Sequence, residues 1–214
     1  MPYAAGHRTE TKKKIVESAR RLFNRHGFRQ VSLDDIMLGA GLTRGGFYSY
    51  FRSKSDLYVE ALSCFFTDPQ WKNCWDGVEV NLKSTDVGAQ VIRAYLSEQH
   101  FEDIENSCPM VALPVDVTRG DVGLKRAFET VFAAMVNILE RSINLERSMN
   151  GSRSKAHTRA QATAALCIGG MVVARAVENR ASADAVRDAC MRTALELGGW
   201  RQPKSARNGA RRRK

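Results

Sequence analysis

Residues 42–54 read LTRGGFYSYFRSK, and this stretch decides the fold of the N-terminal part of the chain. Thr43 can cap a short helix that ends near Phe51. The paired residues Gly45 and Gly46 fall in its first turn, where each weakens a helix by about 1 kcal/mol relative to alanine. A helix this short that keeps two glycines is expected to need them for packing or for close approach to a partner.

Two polar patterns place helices on either side of this stretch. Ser32, followed three residues later by Asp35, predicts a capping box for a short second helix. Ser53 and Asp56 repeat the pattern at the start of a fourth helix. A first helix precedes them, and Gly27 is expected to end it. Its apolar stripe consists of Ile15, Val16, Ala19, Leu22 and Phe23.

Helical patterns also fill the rest of the chain, and no β alternation is found. A long helix is expected over residues 121–145, and two more over residues 155–178 and 182–197. Residues 67–84 are expected to form an irregular connection. The fold class is therefore all-α, with a three-helix helix-turn-helix domain in front of a larger helical domain.

Charge divides the chain into three parts. Residues 1–56 contain eleven Lys and Arg and five Asp and Glu, so this part is basic. Residues 57–199 contain fifteen Lys and Arg and eighteen Asp and Glu, and residues 200–214 contain seven Lys and Arg and no Asp or Glu. These parts are the predicted domains: a helix-turn-helix domain with a flexible N-terminal arm, a helical body and a disordered basic tail. A basic domain on a near-neutral body is typical of a nucleic-acid binder, although a solvated basic surface would give the same distribution.

The first sixty residues resemble the TetR family of transcriptional regulators. The resemblance covers roughly residues 12–60, and beyond them only the helical pattern and the length agree. It implies a DNA-binding domain followed by a domain that dimerises through its last two long helices and encloses a small-molecule site. The expected function is a sequence-specific regulator, most commonly a repressor that an effector releases from its operator. Besides residues 42–54, the matching positions are Ala19, Leu22-Phe23, Gly27-Phe28, Ser32, Asp35-Ile36 and Ala40-Gly41.

Ten residues are predicted to bind double-stranded DNA. Arg44 can donate two hydrogen bonds to a guanine edge, or contact a phosphate instead. Gly45 and Gly46 would let the backbone approach the bases, and an arm residue such as Arg8 could share the reading. Lys54 matches a lysine that the family uses as a phosphate cation. The set is Arg29, Ser32, Thr43, Arg44, Gly45, Gly46, Tyr48, Ser49, Tyr50 and Lys54, with half-buried packing as the alternative for Tyr48.

The resemblance also predicts an effector site in the larger domain. For each candidate, plain core packing is the alternative, because any helical core needs aromatic and methionine side chains. Cys108 lies in a break between helices, where a sensing thiol and inert packing are both open. The acidic neighbours Glu102, Asp103 and Glu105 would raise its pKa. The candidates are Trp71, Trp75, Tyr95, Phe101, Cys108, Met110, Phe128, Phe132 and Met135.

Small side chains crowd residues 160–176, which predicts close helix packing. With the helix at residues 182–197, this stretch reads as half of a four-helix bundle completed by a second chain, and packing within one chain is the alternative. The stretch is too short and too polar for a membrane helix. No secretion signal is found and the five cysteines lack CxxC spacing, so a reduced cytoplasmic location is expected.

No catalytic or cofactor motif is found in the sequence. The four histidines are dispersed, and neither GxSxG nor a phosphate-binding loop is present. Gly39 and Gly41 follow a helix and not a strand, which excludes the dinucleotide-binding context. We therefore expect no enzyme activity, metal or cofactor. An all-α enzyme and a sequence-neutral architectural DNA protein are the two alternatives.

Overall fold

The computed structural model describes the backbone of residues 3–67, 80–146 and 153–200, and the side chains of residues 6–64, 80–143 and 155–200. Within these ranges all regular secondary structure is helical, which confirms the predicted class. The α-helices are α1 (Tyr3–Gln30), α2 (Leu33–Gly39), α3 (Lys54–Thr67), α4 (Val87–Tyr95), α5 (Glu98–Glu102), α6 (Pro109–Ala112), α7 (Pro114–Thr118), α8 (Val122–Glu146), α9 (Arg153–Ala176) and α10 (Arg180–Gly198), and a 3₁₀ helix (Arg44–Ser49) lies between α2 and α3.

Two helices of the N-terminal region, α2 and α3, begin where the capping patterns predict. Ser32 Oγ accepts a hydrogen bond from Asp35 N at 3.1 Å, and Asp35 Oδ2 accepts one from Ser32 N at 2.9 Å, so the capping box of α2 is complete. Ser53 Oγ accepts from Asp56 N at 3.0 Å at the start of α3. These bonds satisfy N–H groups that lack partners in a helix's first turn.

Two local predictions at the N-terminal end are wrong, and one is confirmed. The helix predicted to start at Thr43 is a 3₁₀ helix, and the Thr43 side chain makes no capping bond. Gly27 interrupts α1 as predicted, with the non-helical angles φ 77° and ψ 163°, and a short helical segment continues to Gln30. Residues 3–26 are helical, so Arg8 belongs to α1 and not to a flexible arm. No glycine or proline between Tyr3 and Gly27 other than Gly6 opposes the extension.

The side chains pack into two apolar cores. The first core joins α1, α2, the 3₁₀ helix and α3, and receives Leu113, Val117 and Leu124 from later in the chain. The second core joins α4, α6, α8, α9 and α10, and includes Met110. The α6–α7 segment therefore contributes to both cores, and Phe128 of α8 packs against both. The α6–α7 segment, like α3, thus connects the first half of the molecule, built around the first core, with the second half, built around the second core.

The second core extends to residue 200. Trp200 is 4 % exposed, and a Cβ atom added to Gly88 or Gly198 would lie 2.1 or 1.7 Å from its ring. The indole therefore fills the space that these glycines leave, and assigning Trp200 to a disordered tail was wrong. Residues 201–214, Trp71 and Trp75 lie outside the described residues. No helix in the described ranges is long and apolar enough to cross a membrane.

Candidate nucleic-acid interface

The 3₁₀ helix lies at the surface and is held by the aromatic residues on its inner side. Phe47 is completely buried and Phe51 nearly so. The turn before it is closed by Leu42 N, which donates to Met37 O at 2.8 Å, and by Gly41 at φ 71°. Positive φ favours glycine, so residue 41 allows the chain to reverse between α2 and the 3₁₀ helix. The result is a helix-turn-helix unit whose second helix is short.

The predicted DNA contacts remain accessible on this unit. Tyr48 is 66 % exposed, although its ring meets Phe47 edge-on with centroids 5.2 Å apart. Its hydroxyl is therefore free to reach a phosphate, and half-buried packing is not what the structure shows. Gly46, Tyr50 and Lys54 are half-buried. The exposed members are Arg29, Ser32, Thr43, Arg44, Gly45, Tyr48 and Ser49.

Two arginines lie at the ends of the 3₁₀ helix, Arg44 as its first residue and Arg8 beside its last. Arg44 Nη1 is 2.9 Å from Asp34 Oδ2, and both side chains are more than half exposed. Exposed ion pairs contribute at most about 1 kcal/mol, so this guanidinium can exchange its partner for DNA. Arg8 Nη2 donates to Ser49 O at 2.6 Å, and its guanidinium carbon lies 5.3 Å from the centroid of the Tyr50 ring.

Lys54 and Ser32 already have partners within the chain. Lys54 Nζ donates to the carbonyl oxygen of Phe28 and lies 4.4 Å from the centroid of that ring. Burial lowers the pKa of the Lys54 ammonium, and the carboxylates of Asp116 and Asp35 oppose this shift. Ser32 Oγ donates to Asp35 Oδ2 at 2.6 Å, and the hydrogen bonds from Ser32 lower the pKa of Asp35.

Gly39, the last residue of α2, fixes the distance between α1 and α2. A Cβ atom at this position would lie 2.4 Å from Ser18 Oγ. Ser18 is buried, and its hydroxyl donates to Ile36 O at 2.8 Å. The periodicity of α1 did not single out Ser18, because its role depends on a residue 21 positions later.

The candidate effector residues in the described part of the chain lie in or against the second core. Met110 and Met135 are buried, as core packing requires, and Tyr95 is 4 % exposed, with its hydroxyl beside the Cys108 thiol. Burial raises the pKa of this phenol well above its ordinary value. Phe128 and Phe132 are half-buried against the core. Phe101 is also half-buried, and two guanidinium carbons, of Arg180 and Arg187, each lie 4.8 Å from its ring centroid.

Cys108 is completely buried, and burial raises the pKa of its thiol to about 11. From the sequence we expected three acidic neighbours to raise this pKa, whereas the main cause of the rise is desolvation of the thiol by burial. Arg175 of α9 opposes the rise and donates to Ser107 Oγ at 3.1 Å. A protonated, enclosed thiol is a poor nucleophile, so this environment favours packing over sensing.

The small residues of α9 divide between two faces. On the inner face, Ala160, Ala164 and Cys167 are buried, and a Cβ atom at Gly170 would lie 2.7 Å from Cys190 Sγ. Packing within the chain therefore accounts for this half. The other half is exposed and apolar, and consists of Ala162, Ala165, Gly169, Val172 and Val173 of α9 with Ala185 and Ala189 of α10.

Comparison with known proteins agrees with the helix-turn-helix geometry. Residues 15–61 match the family described as "Bacterial regulatory proteins, tetR family". The chain is 45 % identical over 51 residues to the HTH-type transcriptional regulator AcrR of Shigella flexneri. These 51 residues are 24 % of each of the two chains. It is 33 % identical over 104 residues to the uncharacterized regulator YfiR of Bacillus subtilis, which is 45 % of this chain and 51 % of that protein. The chain thus spans between a quarter and a half of these curated relatives.

Solved structures agree over a larger share of the chain. The reduced form of E. coli NemR has a TM-score of 0.69 at 18 % identity, over 87 % of this chain and 96 % of that one. SmeT, the repressor of the Stenotrophomonas maltophilia efflux pump SmeDEF, has a TM-score of 0.60 at 18 % identity, over 91 % and 94 %. The fold and the interface define a helix-turn-helix protein. Residues 15–61 are similar to the TetR family of bacterial regulatory proteins.

Proposed function

We propose that this protein is a sequence-specific transcriptional regulator that binds operator DNA as a homodimer and is released by a small-molecule effector. The observation that carries the proposal is the 3₁₀ helix, which presents Arg44, Tyr48 and the backbone of Gly45 to solvent from a buried aromatic base. A guanidinium can read a guanine in the major groove, and a phenol and glycine N–H groups can contact phosphate.

The homodimer follows from the size of this interface and from the exposed face of α9 and α10. Six residues of 3₁₀ helix offer too few contacts for specific affinity, whereas two half-sites double them. Val172 and Val173 are 38 % and 50 % exposed beside small residues that would allow two copies to approach closely. A two-fold dimer pairs the same face of each chain and would select a near-palindromic operator.

The effector is proposed to be a small, largely apolar molecule that binds among the side chains of the second core. Tyr95 supports this, because its buried hydroxyl lies beside the Cys108 thiol, a weak hydrogen-bonding group, and could meet one polar group of a ligand. SmeT has been solved in complex with triclosan. We propose that such a ligand relieves repression. We also propose that the protein acts in the cytoplasm and without catalysis. In the described residues, no group of three His, Cys, Asp or Glu side chains could hold a metal ion.

Selection of bound duplexes from a random DNA pool tests the central proposal. We expect enrichment of one near-palindromic sequence, bound by two chains, with half-site centres about 34–36 Å apart or slightly more. Binding without enrichment would instead support a sequence-neutral architectural protein. Sedimentation should show a dimer at micromolar concentration, and a stable monomer would contradict the α9–α10 interface. Compounds that raise the melting temperature should then weaken binding to the selected duplex.

A further inference from the structure

The backbone of Phe28 joins the two halves of the molecule. Its N–H donates to Asp116 Oδ2 at 2.8 Å, and its carbonyl oxygen accepts from Lys54 Nζ. Asp116 belongs to α7, in the segment that contributes to both cores, whereas Lys54 begins α3 and is a predicted phosphate contact. Two hydrogen bonds therefore connect a carboxylate of the second half with an ammonium of the DNA-binding surface.

The kink at Gly27 makes this connection possible. In an unbroken helix the N–H of Phe28 would bond within α1, but the backbone angles of Gly27 turn it toward Asp116. The approach is close, since a Cβ atom at residue 27 would lie 3.3 Å from Asp116 Oδ2. The Phe28 ring is also held, with centroids 4.7 Å from Tyr58 and 5.6 Å from Phe23.

We propose that Asp116 is a positioning residue for DNA binding, because it fixes Phe28 and, through Phe28, the Lys54 ammonium. A lysine ammonium has three N–H donors. One is occupied by Phe28 O, which leaves two for a phosphate and restricts the direction in which they point. This inference rests on the proposed function.

The same connection gives the effector a route to the DNA-binding surface. Met110 of α6 lies in the second core, and Val117 of α7 lies in the first. Pro109 and Pro114 begin these two helices, and their fixed φ angles stiffen the segment. A ligand that displaced Met110 would therefore move Asp116 with it. Phe28 and Lys54 would lose their arrangement without any movement along α3.

Two substitutions of equal charge test the role of Asp116. Asp116→Asn keeps an oxygen that can accept from Phe28 N, whereas Asp116→Ala removes it. Both remove one negative charge near the DNA, so their difference isolates the hydrogen bond from the general electrostatic effect. We expect the alanine variant to bind the selected duplex about tenfold more weakly than the asparagine variant, which is within the usual range for coupling between sites.

A double-mutant cycle shows whether Asp116 acts through Lys54. In a Lys54→Ala background, the difference between the two Asp116 variants should shrink to about twofold or less, because their shared target is gone. Asp121→Ala is the matched control. Asp121 Oδ1 accepts from Leu124 N at 2.9 Å within the first turn of α8, so its loss removes a cap without touching the DNA-binding surface. It should lower the melting temperature and leave operator affinity unchanged.

Hydrogen exchange provides a readout that does not depend on DNA. In Asp116→Ala, the amides of residues 27–32 should exchange faster than in Asp116→Asn, while those of α9 and α10 should not change. Equal operator affinity of the two variants, or a difference that persists in the Lys54→Ala background, would overturn the inference alone. Failure of the wild-type protein to enrich any duplex would reject the proposed function, and this inference with it.

Discussion

Arg8 joins the first turns of α1 to the end of the 3₁₀ helix, where its Nη2 donates to Ser49 O at 2.6 Å. The carbonyl oxygens at a helix end lack partners within the helix, and a cation there is favourable. Arg8 thus lies between the 3₁₀ helix and the solvent, and bound DNA would replace that solvent. The sequence predicted that Arg8 could contact DNA from a flexible arm. In the structure Arg8 belongs to α1, and its side chain bonds to Ser49 O.

Arg8→Ala should weaken operator binding more than Arg8→Lys. Alanine removes both the bond to Ser49 and a cation near the phosphates, whereas lysine keeps the charge. We expect a loss of roughly three- to fivefold for alanine, as is usual for one exposed charged contact. Titration of the selected duplex at fixed salt measures the effect. Identical affinities of the alanine variant and the wild type would show that Arg8 contributes neither placement nor charge.

Lys54→Ala and Tyr48→Phe should weaken binding to all operator variants to a similar extent, because phosphate contacts do not read sequence. Lys54→Ala should also lower the slope of log affinity against log salt by about one unit. Arg44→Ala should instead relax specificity at one base pair, at a cost of about 1–3 kcal/mol. A panel of single-base operator variants at several salt concentrations distinguishes the two kinds of contact. A uniform loss for all three proteins would contradict the division.

Gly39→Ala should destabilise the protein by about 1–3 kcal/mol, because the added methyl group overlaps Ser18 Oγ. Ser18→Ala removes that oxygen and its bond to Ile36 O. The double variant should therefore be more stable than the sum of the two single changes predicts. Urea unfolding of the four proteins measures the coupling. Strict additivity would mean that α1 and α2 separate to relieve the overlap.

Local sequence patterns correctly predicted where a helix begins when the residues that form its cap are close together in the chain. Ser32 and Asp35 form a capping box from four consecutive residues, so their geometry is contained in the sequence. The helix break at Gly27 was predicted, but the hydrogen bond from Phe28 N to Asp116 could not be, because its acceptor lies 88 residues later in the chain. The environment of Cys108 likewise depends on Arg175 of α9. Contacts between residues far apart in the chain are set by packing, which periodicity alone does not specify.

Removing residues 201–214 should leave the melting temperature nearly unchanged. The segment holds seven Lys and Arg residues, no Asp or Glu and no aliphatic core residue larger than alanine. Its loss should instead reduce affinity for random DNA at low salt, where phosphate attraction dominates. The deletion must keep Trp200, which is part of the second core. A melting temperature lowered by many degrees would show that the tail packs against the body.

His100 is buried in the second half of the molecule as a neutral imidazole. Its Nδ1 lies 2.6 Å from Tyr95 O, and its Nε2 accepts from Cys108 N at 3.2 Å. The carbonyl oxygen can only accept, so Nδ1 carries the proton. A second proton on Nε2 would break the bond to Cys108. Burial, with a smaller contribution from Arg175, lowers the pKa of His100 to about 3.

The protein should therefore lose stability as the pH falls below about 6.5. In that range the unfolded chain binds a proton at His100 that the folded protein does not bind until about pH 3. The slope approaches about 1.4 kcal/mol per pH unit below the unfolded pKa, so the unfolding free energy should fall by about 1.6 kcal/mol between pH 6.5 and 5 from this group. His100→Gln offers a neutral side chain that can donate and accept but does not titrate. Its unfolding free energy should change less over the same interval, because the acidic residues common to both proteins cancel in the comparison. Parallel pH profiles for the two proteins would show that His100 is protonated in the folded state or is not buried in solution.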